Sequence, residues 1–511
     1  MHAQHRIRIG IMSLTALATL TLLSTAPHAT GAANPAQASG WPSYAQNDHH
    51  AAVSSVAAQA LSKIHWKTPV DLNPPQGEIF IHYGSPLVTS ANTTIVPVKV
   101  GDNSFRVDAH DGQTGALLWK QTTDYQVPVA DFTPGFYPVM DRNVLVIPAG
   151  GGTVLIRSNP DQAGGKLVRT AFYGIENYKA NPQAYQTNVL ICTPITADST
   201  GNIYFGFVVL GSTPIGLQSG VARISNKGVG SWVTATTATR NAFNEIATSS
   251  GPALSPDEHK LYVVVTNSQV GNGALLALNS TSLKTLGGVH LKDPSSGLDA
   301  IVYDASSASP TVGPDGDVYF GVLENPFPDH NNRGWLLHFD ATLTQKKIPG
   351  SFGWDDTVSI VDASLVSSYQ GTSKYLVMSK YNNYAGAGGD GVNKIAVLDP
   401  NATESDPIIP SVKVMNEVLT IKGVTPDPDF PWLPDAVREW CINTAAVDPV
   451  TKSILANSED GKLYRWDLTT NSFTQKITLS SGIGEAYTPT VIGTDGTAYA
   501  INDAILDAIG Q

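Results

Sequence analysis

Four short stretches hold the side chains best suited to chemistry. "GEIFIHYGSP" carries His82 and Tyr83, and "GSFGWDDTVSIVDAS" carries Trp354, Asp355, Asp356 and Asp362. "PDAVREWCINTAA" carries Arg438, Glu439, Trp440, Cys441 and Asn443, and "SGIGEAYTPT" carries Glu485 and Tyr487. Asp355, Asp356, Glu485 and His82 are the candidates for acid–base work, because a carboxylate or an imidazole can move a proton near neutral pH when its surroundings tune it. Asp355 or Asp356, with Asn443 and Glu485, offers the hard oxygens that a calcium ion takes. Arg438 suits an anionic group, while Trp354, Trp440 and Tyr487 offer ring faces to a planar ligand or cofactor. The same residues have a plainer use. Asp-rich loops accept backbone N–H bonds, and Trp packs between sheets. No G-x-S-x-G elbow, Walker loop, H-E-x-x-H or zinc-type cysteine spacing is present.

What must position these residues is a repeat. "SPLVTSANTTIVPV" from Ser85 returns in looser form as "YPVMDRNVLVIPAG", "TPITADSTGNIYFGF", "GPALSPDEHKLYVVV", "SPTVGPDGDVYFGVL" and "TPTVIGTDGTAYAIN". Weaker copies start at Asp362 and Asn443. Taking Pro86, Pro138, Pro194, Pro252, Pro310, Ala363, Ala445 and Pro489 as equivalent, the spacings are 52, 56, 58, 58, 53, 82 and 44 residues. Self-similarity at about this period marks a propeller or a related array. Each unit is a small residue or Pro, a short apolar run, an Asp-Gly type turn and a second β-rich run, often with another hairpin after it. That reads as a four-stranded antiparallel blade. "DAHDGQTGALLWK", residues 108–120, is then the outer hairpin of the first blade, with Leu117, Leu118 and Trp119 expected to bury against the next.

The eighth unit has room for only a few strands before Gln511, and a ring cannot leave an edge bare. "LSKIHWKTPVD", Leu61–Asp71, is the natural strand to complete it. The expected fold is therefore all-β: an eight-bladed propeller whose last blade is closed by an N-terminal strand, with seven blades as the alternative. One domain over 39–511 follows, with an irregular insertion at 423–440 where four prolines interrupt any strand. The four chemically interesting stretches stand just upstream of innermost strands. They would rim the central channel at one face, three of them before the consecutive blades six, seven and eight.

"DGQTGALLW" resembles the repeat of pyrroloquinoline-quinone-type propellers, the quinoprotein alcohol dehydrogenase-like superfamily. "WPSYAQNDHHAAVS" ahead of "IHWKTPVD" is similar to its N-terminal lead-in. The resemblance implies a propeller over almost the whole mature chain. For an enzymatic member it implies a quinone over the channel, a calcium or lanthanide ion, a carboxylate base, a stacking Trp and often two adjacent cysteines. The adjacent pair is missing here, because Cys192 and Cys441 are the only cysteines, and there is no C-x-x-C-H haem motif. Cys192 would stand before blade three and Cys441 before blade seven, across the ring, so both are expected to remain buried thiols.

The first 38 residues pair Arg6 and Arg8 with an apolar stretch to Leu23 and small residues thereafter, the pattern of a Sec signal peptide. A secreted or periplasmic protein is expected. No lipoprotein cysteine or later apolar run suggests a membrane anchor. Charged residues are 14% of the chain and the net charge is −12. Without clustered Lys and Arg, nucleic acid is an unsuitable partner. Three readings of function remain: a binding propeller that takes a polymer, small molecule or protein at the channel face; a quinone-dependent dehydrogenase of the envelope; or an extracellular polysaccharide lyase or hydrolase using His82 and Glu485.

Overall fold

The computed structural model describes residues 40–77, 79, 81–127, 135–268, 270–303, 306–482 and 486–511. The leader expected at 1–38 and Glu485 lie outside them. Residues 38–511 make one compact unit, an eight-bladed ring of antiparallel sheets.

Blade one is built from Leu87–Val88, Thr93–Lys99, Ser104–Asp111 and Leu117–Gln126. Blades two, six and seven repeat this four-strand order. In blades three and four the innermost strand is broken in two. Val189–Ile191 and Thr196–Ala197 both pair with Ile203–Val209, while Glu245–Ile246 and Ala253–Leu254 both pair with Lys260–Thr266. In blade five the fourth position is held only by isolated bridges, Phe339 to Lys346 and Leu336 to Gly350. Blade eight closes as the repeat requires. Lys63–Pro69 pairs antiparallel with Ile505–Gly510, outside Ala498–Asn502 and Val491–Ile492.

The middle strands are buried on both faces, as blades sandwiched by neighbours must be. Thr93–Lys99 and Tyr375–Tyr381 have no exposed residue. Outer strands alternate, because one of their faces meets water. The expectation for 117–119 holds only in part. Trp119 is buried, donates Nε1–H to Pro160 O at 2.7 Å and carries the Arg157 guanidinium over its ring at 4.0 Å. Leu117 and Leu118 are 49% and 36% exposed, since they begin the outermost strand at the periphery.

The insertion after blade six contains no strand, and one bridge, Pro426 to Val437, folds it back on itself. Cys192 and Cys441 are both buried and form no disulfide. Among the described residues no helix is long and apolar enough to cross a membrane.

Candidate functional site at the rim of blades six to one

Asp355, Asp356, His82, Asn443 and Tyr487 come from four segments 44 to 405 residues apart, and the ring gathers them. Asp355 sits at φ 51, a left-handed conformation that Asp tolerates better than bulkier residues. This bend sends two adjacent carboxylates to different partners. Asp355 Oδ1 accepts from the Ser307 amide at 2.6 Å and the Ser307 hydroxyl at 2.7 Å. Its Oδ2 faces His82 Nε2 at 3.5 Å and Lys380 Nζ at 3.9 Å. Asp356 Oδ2 instead accepts from Ser379 Oγ at 2.6 Å. Asn443 donates to Ser307 Oγ at 2.6 Å and to Ser307 O at 3.1 Å. The His82 ring lies 3.9 Å from that of Tyr487, which is half-buried, while Lys380 Nζ is 5.8 Å from the Tyr487 ring.

His82, Asp355, Asp356, Lys380 and Asn443 are each at most 2% exposed. Burial sets their protonation. The Asp356 carboxyl is pushed up to about 7 by loss of water, against the pull of the Lys380 ammonium and the Ser379 hydroxyl. Burial pushes His82 down to about 4, although the Asp355 carboxylate works the other way. The cluster is thus a neutral imidazole and a carboxyl poised near neutral pH beside a buried ammonium. Such a set can hold or pass a proton.

A second group lies nearby on blade seven. Cys441 Sγ is 3.3 Å from Glu459 Oε2 and 4.0 Å from Glu439 Oε2, and one donor atom from each of these residues lies within 4.8 Å of the others. The other oxygen of Glu459, Oε1, accepts from the Glu439 amide at 3.1 Å and faces Arg438 Nη1 at 3.5 Å. Burial raises both carboxyls above the ordinary range, and for Glu439 the neighbouring Glu459 adds to the rise. A thiolate with two carboxylates is a donor set for a borderline divalent ion.

The remaining candidates sit apart from these groups or are engaged otherwise. Arg438 is taken by carboxylates, Asp429 at 3.1 Å, Glu459 at 3.5 Å and Asp427 at 3.9 Å. Trp440 is 1% exposed and packs on Tyr464 and Phe473. Trp354 stacks on Tyr303 at 5.6 Å and lines a small cavity with Ala247, Val302 and Phe320. Lys380, Ser307 and Glu459 join the site without any mark in the sequence. Lys380 hides in the strand Tyr375–Tyr381, which reads as uniform core, and Glu459 lies in "NSEDGK", which reads as an ordinary turn.

No family model matches the sequence, and no curated protein is similar to it. Solved structures are similar in fold. A europium-containing methanol dehydrogenase aligns over 90% of this chain and 89% of its own, with a TM-score of 0.54 and 10% identity. The quinohemoprotein alcohol dehydrogenase of Comamonas testosteroni aligns over 91% and 76%, with a TM-score of 0.52 and 9% identity. Sqt1 of Saccharomyces cerevisiae aligns over 89% and 99%, with a TM-score of 0.52 and 11% identity. At these identities the likeness is one of architecture, which propellers of different use share. With eight antiparallel blades closed by its own N-terminal strand, the chain is an eight-bladed β-propeller, similar in fold to these structures.

Proposed function

We propose that this chain is a secreted binding propeller whose rim at blades six to eight takes a divalent cation, alone or as the bridge to a polar ligand. The observation that carries this reading is the convergence of Glu439, Cys441 and Glu459, with donor atoms within 4.8 Å of one another. A thiolate donor favours a zinc-like ion over calcium, which prefers oxygen alone. The oxygen set expected for calcium is less available. Asp355 Oδ1 and Asn443 are spent on Ser307, and Asn443 Oδ1 also accepts from Tyr44. The secreted location rests on the leader pattern of the sequence.

A quinone-dependent dehydrogenase is the second reading, suggested by the resemblance of "DGQTGALLW" to the repeat of quinoprotein propellers. Asp355 would be its proton acceptor. The three aromatic candidates already meet other rings, Tyr487 that of His82 at 3.9 Å, Trp440 those of Tyr464 and Phe473, and Trp354 that of Tyr303, so a planar cofactor would share or displace these contacts.

Calorimetric titration of the purified protein with zinc and with calcium tests the first reading. One tight zinc site is expected, and the absence of any cation binding overturns it. Dye-linked alcohol oxidation after incubation with calcium and the quinone would select the second reading. Cleavage of a polysaccharide would select a lyase or hydrolase instead.

A further inference from the structure

Residues 41–54 thread across the inside of the ring. Val88 N donates to Trp41 O at 2.9 Å, Met140 N to Pro42 O at 2.8 Å and Leu254 N to Asp48 O at 2.8 Å. Val312 N donates to His49 O at 2.9 Å, Ile360 N to Ala51 O at 3.0 Å and Val447 N to Ala52 O at 2.9 Å. These amides belong to the innermost strands of blades one, two, four, five, six and seven. An innermost strand has no sheet neighbour on its channel side, so its N–H groups need another acceptor. The segment supplies one carbonyl after another. It does so along a tight path, with Ala45, Gln46, His50 and Ala52 all at positive φ. Backbone conformations of that kind are costly outside glycine and persist where surrounding contacts hold them.

On the innermost strands of blades one, six and seven, the bonded amide comes a few residues after a rim residue in the segment that leads into the strand. Val88 follows His82, Ile360 follows Asp355 and Val447 follows Cys441. The segment therefore lies deeper in the channel than the rim site. Tyr44 reaches from it toward that site. Its hydroxyl donates to Asn443 Oδ1 at 2.7 Å and lies 2.8 Å from Thr357 Oγ1. Asn443 Nδ2 holds Ser307 Oγ at 2.6 Å, and the Ser307 hydroxyl and amide hold Asp355 Oδ1.

We infer that residues 41–54 are an internal plug that closes the channel below the rim, and that Tyr44 is a positioning residue that sets Asp355 through Asn443 and Ser307. The functional consequence rests on the rim being a ligand site. A ligand reaches that site from the rim face alone, and the site is complete only once the segment that follows the leader has docked.

Tyr44→Phe removes one hydroxyl and keeps the ring packed edge-on against His50 and Tyr137, at 5.1 and 5.7 Å. Hydrogen exchange read by mass spectrometry is expected to speed up about tenfold over residues 306–312, where the Ser307 amide meets Asp355, while Val88, Met140 and Leu254 keep their protection. Unchanged exchange over 306–312, or equal loss in every blade, overturns the positioning role. Should that variant fail to fold, a protease site inserted at Ser55 and cut after folding replaces it. The nicked plug is expected to stay bound, and after forced release a synthetic peptide of residues 40–54 should restore protection over 306–312. A plug that leaves while protection there persists overturns the inference. Exchange at Ser307 is read without any cation, so failure of cation binding would sink the proposed function and leave this result standing.

Discussion

Cys441 Sγ lies 3.3 Å from Glu459 Oε2, a thiol set against a carboxylate from the hairpin turn of the same blade. Arg438 and the Glu439 amide hold the other oxygen of Glu459, which keeps Oε2 aimed at the sulfur. Outer partners of this kind orient ligands toward an ion. Protons compete with metal for a thiol and for carboxyls raised by burial. Zinc affinity is therefore expected to climb as pH rises from about 6 to 8. Cys441→Ser should weaken zinc by about a hundredfold and leave any calcium binding as it was. Isothermal titration across that pH range reads both effects, and equal zinc affinity in the variant would count against the site.

The ring was legible because its signal repeats. Pro or a small residue, an apolar run and an Asp-Gly turn recur, and a missing strand in the last unit points to Leu61–Asp71, of which Lys63–Pro69 forms the strand. Which rim residues meet was only half legible. His82, Asp355, Asp356 and Asn443 stand within a few residues upstream of their innermost strands, so the ring brings them to one face. Lys380 and Ser307 carry no local mark, because their roles come from what faces them in the fold: Lys380 meets Asp355 within blade six, and Ser307 meets it from the segment before blade five. The plug was out of reach for the same reason. Its carbonyls make the contacts, and backbone groups leave no trace in residue type.

Asp356 gives a pH signature in stability. Its carboxyl stands near 7 in the fold against an ordinary value of 3.8, so the native state holds a proton that the unfolded chain has released. Stability from this group is full below about pH 4, falls as pH rises toward 7 and is level above that. Asp356→Asn keeps an acceptor for Ser379 and abolishes the titration. The variant should gain on the wild type by on the order of 2–4 kcal/mol between pH 4 and 8. His82 acts in the opposite sense between its value of about 4 and the ordinary 6.5, adding stability as pH rises, so the wild-type profile alone partly hides the effect. Urea denaturation of both proteins at several pH values isolates it, and a constant difference would refute the buried, proton-holding Asp356.

Removing residues 61–71 should leave Ile505–Gly510 as a bare edge in blade eight and expose the apolar surface that Ile64 and Trp66 cover. Aggregation is the expected result, read by light scattering after size exclusion. A soluble monomer with native circular dichroism would show that ring closure does not depend on this strand.

The final prediction concerns the turn that joins blade one to blade eight. Trp66, from the closing strand, donates Nε1–H to Gly112 O at 2.9 Å and stacks on His110 at 5.4 Å. Gly115 lies beneath that indole at φ +72, where a Cβ would stand 2.4 Å from Trp66 Cγ. Gly115→Ala therefore carries two penalties: a left-handed backbone for a residue with a side chain, about 1–2 kcal/mol, and overpacking against the ring, about 1–3 kcal/mol. Gly77 separates them. It has φ +90 with nothing within 4 Å of its would-be Cβ, so Gly77→Ala reports the backbone cost alone. Gly115→Ala should lower stability by clearly more than Gly77→Ala. In a Trp66→Gly background the excess should vanish, because Cβ, Cγ and Cδ2, the three atoms in the way, are all gone. Denaturant midpoints of the four variants complete the cycle. An excess that survives removal of the indole would mean that Trp66 is not what limits Gly115.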